Sequence, residues 1–175
     1  MSQRAGRYQR SVGAMVGAMV VVVAIVVALG LLGHALSTPN NPAPAVSYRQ
    51  EAHYAAAQAD FPILTPGSLP DGWRATTVRF LPGSHASWHL GVLTDQNRYI
   101  GLEESHDPVS EMVHRYVSAH ARKGPDAHVA GSRWRTYTDD GGDRAFVRRT
   151  DGTTVLVVGH QVPRAVLERY LARLR

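Results

Sequence analysis

One apolar stretch constrains this chain more than any other feature. Residues 12–36 contain no Asp, Glu, Lys or Arg, and the uninterrupted apolar run from Val12 to Gly33 is 22 residues long. A helix of that length spans roughly 33 Å, enough to cross a hydrocarbon core of about 30 Å. Such a helix has no polar face for water and satisfies its own backbone groups. We therefore predict a transmembrane helix over residues 12–36.

The charges that flank the apolar stretch predict its orientation. Residues 1–11 carry three Arg and no acidic residue, and the next charge along the chain is Arg49. Positively charged flanks stay in the cytoplasm, so residues 1–11 are predicted to be a cytoplasmic basic tail and the C-terminal domain to be extracytoplasmic. The alternative is a signal peptide cleaved after Ala35. Against it, the apolar run exceeds the roughly 7–15 residues of a typical signal-peptide core.

Small residues recur within the predicted transmembrane helix. Gly13 and Gly17 form a GxxxG motif, a spacing that lets two helices approach closely. A homodimer through Gly13 and Gly17 is therefore one predicted partnership. Glycine and alanine are also common in transmembrane helices that do not pair, and a single motif favours this plainer interpretation.

Charge and cysteine content exclude several classes of protein. The formal net charge is +5, but three of these charges belong to the basic tail, at Arg4, Arg7 and Arg10. Residues 11–175 contain 16 basic and 14 acidic residues. The domain after the anchor is thus close to neutral, and we predict no nucleic-acid partner. The chain contains no Cys, which excludes disulfides, thiolate metal sites, a Cys nucleophile and a Cys-linked lipid anchor.

The composition changes again after the apolar stretch. Residues 37–47 contain three Pro, two Asn and no charge, and this composition predicts a stiff, Pro-rich linker. Residues 48–175 are of ordinary length for one domain. They begin with a stretch rich in Ala, Gln and Glu over residues 48–60, which predicts a short helix.

Alternating apolar and polar residues predict six strands in this domain. The predicted strands cover residues 73–80, 87–94, 98–104, 134–138, 144–150 and 153–158. Asp151-Gly152 between the last two is a strong hairpin signal. Helices are predicted to begin at Pro108, capped by Asp107, and at Pro163. The chain therefore predicts an α+β fold, in which an antiparallel sheet of about six strands, in two βββα halves, has its helices packed on one face.

No motif in the sequence predicts a catalytic, cofactor or metal site. His85 and His89 lie four apart on a predicted loop and strand, and His114 and His120 lie six apart on one predicted helix. Neither spacing matches a metal-binding motif. A nucleophile elbow and a Gly-rich phosphate loop are both absent from the sequence. We therefore predict that the protein is not an enzyme and uses no cofactor.

The acidic clusters have structural interpretations. Glu103 and Glu104 are neighbours on a predicted strand and point to opposite faces, so they cannot act directly as one acid–base pair. A solvated strand end is the favoured interpretation. Asp139, Asp140 and Asp143 lack the full ligand pattern of a calcium loop and predict a hairpin turn.

The basic and aromatic clusters are interpreted in the same way. A short basic cluster is formed by Arg144, Arg148 and Arg149. It could contact anionic lipid or a polyanionic wall polymer, but a solvated sheet face is the favoured interpretation. Core and rim packing is the default for the three tryptophans, Trp73, Trp88 and Trp134.

The order of motifs along the chain resembles that of a known family. After the basic tail, the single helix and the Pro-rich spacer come PxxLPxGWRxT at residues 66–76, WHLG at 88–91, YIGL at 99–102 and AGxxW at 130–134. A strand, Gly159 and a C-terminal helix follow. In this order the chain is similar to actinobacterial single-pass membrane proteins of the domain-of-unknown-function 4245 class. The resemblance implies a single-pass protein with an extracytoplasmic domain. It implies no activity, because the family has no assigned catalytic residues.

Together these observations favour a non-enzymatic, membrane-anchored binding or scaffolding domain in the bacterial cell envelope. Its predicted partner is an envelope protein or a wall polymer. One alternative is an envelope enzyme with a site near His85, His89 and Glu103, which requires the fold to join these side chains. The other is a carrier of a small ligand or lipid, which requires an apolar cavity between the sheet and the helices.

Overall fold

The computed structural model describes residues 45–175. The predicted cytoplasmic tail, the predicted transmembrane helix 12–36 with Gly13 and Gly17, and most of the predicted linker lie outside the described residues. Among residues 45–175, no helix is long and apolar enough to cross a membrane.

Eight strands and three helices follow one another along the described residues. In chain order they are α1 (Tyr48–Ala56), β1 (Arg74–Leu81), β2 (Ser87–Leu93), β3 (Tyr99–Ser105), α2 (Val109–Tyr116), β4 (Arg122–Lys123), β5 (Ala127–Val129), β6 (Ser132–Thr138), β7 (Asp143–Thr150), β8 (Thr153–His160) and α3 (Arg164–Leu171). The prediction of about six strands missed β4 and β5, which have two and three residues and are too short to show a period.

The strands form one antiparallel sheet in the order β1-β2-β3-β8-β7-β6-β4, and β5 also pairs with β6. The first βββα half supplies β1 to β3, the second supplies β6 to β8, and the two halves meet where β3 pairs with β8. This arrangement confirms the predicted antiparallel α+β class. At the edge, β4 pairs with the end of β6 and β5 with its beginning, so the edge is interrupted between Lys123 and Ala127.

The β7–β8 connection confirms the strongest local prediction. Thr150 pairs with Thr153, and the two residues between them both have positive φ, 50° at Asp151 and 82° at Gly152. Positive φ at both central positions is the geometry of a type I′ turn, whose twist matches that of the flanking strands. The Asp-Gly pair therefore sets the register of this hairpin.

The helices cover both faces of the sheet, so the prediction that they pack on one face is wrong. On β8, Val155 and Val157 belong to the core beneath α1 and α3, whereas Leu156 packs with Met112 and Val113 of α2. Successive side chains of a strand point to opposite faces, so α2 lies on the other side of the sheet. The apolar run in β8 is continuous rather than alternating, as expected for a strand buried on both faces.

Helix α2 is shorter than the sequence predicts. It ends at Tyr116, so His120 is not on the helix. Pro108 occupies the N-cap position and no side chain caps the helix, which corrects the prediction that Asp107 does so. The Asp107 carboxylate instead accepts a hydrogen bond from Nη1 of Arg115 at 2.7 Å.

Candidate functional site

Strands β2 and β3 bring His89, Glu103 and Tyr99 together on the sheet face that carries α2. His89 and Glu103 are directly opposite each other, and His89 Nδ1 lies 2.6 Å from Glu103 Oε1. A carboxylate can only accept, so Nδ1 carries the proton and Nε2 is left to accept from the Tyr99 hydroxyl at 3.4 Å. These three residues are called the His89 cluster below.

Two glycines make room for the tyrosine of this cluster. A Cβ atom added to Gly91 would come within 2.7 Å of Tyr99 Oη, and one added to Gly101 within 3.3 Å of the same ring. The ring therefore lies across glycine backbone. Burial and the charge of Glu103 raise the pKa of Tyr99 to about 12. The hydroxyl is consequently a proton donor to His89 at neutral pH.

Two of the three residues proposed for an enzyme site, His89 and Glu103, are in contact in the structure. His85 lies in the exposed turn between β1 and β2 and makes no hydrogen bond or ion pair in residues 45–175. Glu103 and Glu104 point to opposite faces, as predicted, but the prediction of a solvated strand end is wrong. Glu103 is 5 % exposed and Glu104 1 % exposed. The β-sheet, which extends on both sides of β3, buries them.

A second feature lies on the same face, where α2 meets β6 and β7. A cleft of about 800 Å³ opens between the helix, the turn that follows it and the two strands. Its apolar wall includes Val109, Val113 and Tyr137, which are half-buried or buried. Its polar side chains include Ser110, His114, Arg135 and Arg149. No carboxylate lines it. We call it the basic cleft.

Arg149 is held in place by backbone rather than by an acidic partner. Its Nη1 donates to the carbonyl oxygen of Asp107 at 2.8 Å and to Thr154 Oγ1 at 3.0 Å, and Nη2 donates to the carbonyl of His106 at 3.3 Å. The neighbouring Arg135 is exposed and forms no ion pair or hydrogen bond within residues 45–175. The charge of Asp126 lies near Arg135, but neither arginine forms an ion pair with a carboxylate of residues 45–175. Two cations without an ion pair are an arrangement suited to an anionic ligand.

The other predicted clusters have structural roles. Asp139 accepts from the Asp143 backbone N–H at 2.8 Å in the β6–β7 turn, which confirms the predicted hairpin. Trp88 and Trp134 are buried in the core beneath α1 and α3, and Trp73 packs against the same core. Within residues 45–175, no group of three or more His, Asp or Glu side chains could hold a metal ion.

The basic cluster does not form a uniform solvated face, which corrects that prediction. Arg148 is half-buried above the Trp134 ring, with 4.9 Å between its guanidinium carbon and the ring centroid. Arg149 points to the opposite face, towards the basic cleft. Arg148 and Arg149 are thus on opposite sides of the sheet, because successive side chains of β7 alternate.

Arg135 was missed by the sequence analysis, although a signal for it existed. Trp134 is a core residue, so the period of two places Arg135 on the opposite face of β6. What the sequence could not supply was its neighbour. Arg135 and Arg149 share a cleft only because Arg135 pairs with Val147, two residues before Arg149 on β7.

A family model described as "Protein of unknown function (DUF4245)" matches residues 7–174. No curated protein matches the chain.

Proposed function

The chain belongs to the DUF4245 family of proteins of unknown function, and from that premise we propose that it is a membrane-anchored, extracytoplasmic binding domain of the cell envelope. The apolar run of 22 residues and the basic tail before it support the anchor and its orientation. The Pro-rich linker would hold the domain away from the membrane surface.

One observation carries the binding role, and it is the basic cleft. Arg135 and Arg149 line an open cleft that contains no carboxylate, on a domain whose overall charge is close to neutral. Uncompensated positive charge in a cleft favours an anionic partner. The apolar wall around Val113 and Tyr137 would contact the uncharged part of the same ligand. We therefore propose an anionic envelope component as the partner.

The anchor is tested by fractionating bacteria that produce the full-length chain with a C-terminal tag. We expect the chain to remain with the membranes after carbonate extraction, because its apolar segment is long enough to span the bilayer. Protease added to spheroplasts should remove the tag. A matched variant, Val22→Arg, places a charge at the centre of the segment at a cost of about 2.5–3.5 kcal/mol and should reduce membrane retention.

Two outcomes of this experiment contradict the proposal. Extraction of the unaltered chain by carbonate would exclude a spanning anchor, and protection of the tag would reverse the orientation. The mass of the membrane-bound chain distinguishes a retained anchor from cleavage after Ala35.

The His89 cluster favours a second candidate function, an envelope enzyme. A histidine whose Nδ1 donates to a buried carboxylate has its Nε2 oriented to accept a proton, as a general base requires. The contact of 2.6 Å between His89 and Glu103 is the specific observation. His85, by contrast, does not belong to the arrangement.

Hydrolysis of p-nitrophenyl acetate by the full-length chain in dodecyl maltoside tests this function. If His89 is a catalytic base, we expect His89→Gln to lower the rate about 100-fold or more, the usual contribution of a positioned base. His85→Gln should leave the rate unchanged, since this side chain is exposed in a turn. Equal rates of hydrolysis for the unaltered chain and both variants would contradict the proposed enzyme function.

The core beneath α1 and α3 has no space for the ligand of a carrier. A ligand cavity between the sheet and the helices α1 and α3 would border Trp88, Leu90 and Leu102, and each of these is 0 % exposed. A side chain with no accessible surface has no water-sized space beside it. These residues form packed core rather than the wall of a ligand cavity.

A further inference from the structure

Strands β6 and β7 separate at one end and leave a space between them. Their pairing runs from Thr138 opposite Arg144 to Arg135 opposite Val147, although β6 begins at Ser132 and β7 extends to Thr150. The first residues of β6 pair with β5, on the edge of β6 that also pairs with β4. The space beyond the last pair has a volume of about 440 Å³, and we call it the strand gap.

The strand gap concentrates positive charge. Five cationic side chains and one carboxylate line it: Lys123, Arg133, Arg135, Arg148, Arg149 and Asp126. Its formal charge is therefore +4, whereas residues 11–175 as a whole carry +2. The charge of the gap exceeds that of residues 11–175 as a whole, so the rest of these residues carry a net formal charge of −2.

The single carboxylate is already occupied. Asp126 Oδ2 lies 2.6 Å from Nη2 of Arg133, and its Oδ1 lies 3.9 Å from Nζ of Lys123. Within residues 45–175, none of the other three guanidinium groups that line the gap forms an ion pair with a carboxylate. The remaining charge, on Arg135, Arg148 and Arg149, is available to an external anion.

Arg148 is held ready to donate hydrogen bonds. Its guanidinium group lies over Trp134, and its Nη1 donates across the gap to Ser132 Oγ at 2.9 Å. Its Nε is buried without an acceptor in the described part of the chain. Because this atom has no accessible surface, an anion in the gap would be bound through the rest of the guanidinium group.

The strand gap is lined from both sides of the sheet, because β6 and β7 are not paired beyond Arg135 and Val147. We propose that it binds a phosphate group, with Arg135, Arg148 and Arg149 as its hydrogen-bond donors. Arginine presents a planar set of N–H groups that matches phosphate oxygens, and a charge of +4 suits a group that carries up to two negative charges. Because Arg135 and Arg149 line both the gap and the basic cleft, the remainder of the ligand would lie in the cleft. This inference rests on the proposed binding function and specifies its ligand class.

The test is calorimetric titration of inorganic phosphate into the full-length chain in dodecyl maltoside, a detergent without phosphate. We expect saturable one-to-one binding that weakens as salt is added. Arg135→Gln should weaken binding about tenfold, the effect of losing one charge-assisted hydrogen bond. This position is chosen because Arg135 is exposed, so its replacement should leave the fold intact.

Arg144→Gln is the matched control. Arg144 lies on β7, beside β6, and carries the same charge as Arg135, but it does not line the gap. Binding by this variant should equal that of the unaltered chain. Absence of saturable binding, or equal weakening by the two substitutions, would overturn the assignment, since general surface charge would then account for any affinity.

A second titration distinguishes a lipid headgroup from a soluble or polymer-linked ligand as the source of the phosphate. The titration is repeated in nanodiscs of phosphatidylcholine, with and without phosphatidylglycerol. If an anionic lipid headgroup supplies the phosphate, phosphatidylglycerol should suppress the binding of inorganic phosphate; if a soluble or polymer-linked ligand supplies it, binding should persist in both. If the chain stays with the membranes but does not bind phosphate, only the phosphate site is overturned. If the chain binds phosphate but is not anchored, only the anchored function is overturned.

Discussion

Replacing Trp88 by alanine is expected to lower the free energy of unfolding by about 3–5 kcal/mol. Trp88, the second residue of β2, is 0 % exposed, and its Nε1 donates to the carbonyl oxygen of Leu64 at 3.2 Å. The substitution removes a large buried side chain and leaves that carbonyl without its donor. Urea denaturation of the full-length chain in dodecyl maltoside, followed by far-UV circular dichroism, measures the change.

Leu81→Ala serves as the control for this experiment. Leu81 is also an apolar residue on a strand of the sheet, but it is 51 % exposed. Its replacement should change the free energy of unfolding by less than about 0.5 kcal/mol. A loss below about 1 kcal/mol for Trp88→Ala would contradict the central place of Trp88 in the core.

The stability of the domain is expected to fall as the pH rises from about 4.5 to about 8, because of Glu104. Burial raises the pKa of this carboxyl from 4.5 to about 8, against smaller opposing effects of the Leu64 N–H group and the charge of Arg148. Between these pH values the folded chain binds a proton that the unfolded chain has released. The contribution of protonated Glu104 to the free energy of unfolding is therefore fully present below the pKa that this carboxyl has in the unfolded chain. It is lost as the pH rises towards the pKa in the folded chain, by roughly 5 kcal/mol in total.

Glu104→Gln should abolish this pH dependence. The amide oxygen of glutamine can replace Oε1, which accepts from the Leu64 N–H group at 2.9 Å, and glutamine carries no charge at any pH. Above pH 8 the variant should be more stable than the unaltered chain, and near pH 5 the two should be similar. Urea denaturation across this pH range provides the measurement.

Glu111→Gln is the matched control for the titration. Glu111 has a side chain that is 51 % exposed and forms an ion pair with Arg115 on the surface of α2. An exposed pair of this kind contributes at most about 1 kcal/mol, so the substitution should leave the pH dependence between 5 and 8 in place. If Glu104→Gln retained the same pH dependence, Glu104 would not be its cause.

Trp88 and Glu104 act on the same segment. They are directly opposite each other on β2 and β3, and they bind the carbonyl and the N–H of Leu64, respectively. Leu64 lies in a Pro-rich stretch that forms neither helix nor strand, so its backbone groups need partners from elsewhere. The two buried side chains supply them, so Glu104 has a structural role in the core.

Local features were predictable because their causes are local. Asp151-Gly152 specifies a two-residue hairpin through the positive φ of both residues, and the surrounding alternation places β7 and β8 within a few residues of their observed bounds. The long strands of both halves were identified from the same period of two. The length and apolarity of residues 12–36 likewise predict an anchor without reference to any other part of the chain.

The side of the sheet that each helix covers was not predictable from local features. α2 has an amphipathic pattern that shows which of its sides is buried, but nothing in that pattern states which side of the sheet it covers. The continuous apolar run in β8 was the available clue, because a strand buried on both faces needs layers on both. The burial of Glu103 and Glu104 depends on β8 lying beside β3, a pairing between residues about 50 positions apart.

The sequence alone thus determined the apolar segment, the strand and helix types and the hairpin, since each depends on the chemistry of neighbouring residues. Only the tertiary structure decided which distant side chains meet. The contact of His89 with Glu103 follows from the register of β2 on β3, and the strand gap follows from the point at which β6 leaves β7. Register and strand separation are set by packing across the whole sheet, and no local stretch of residues encodes them.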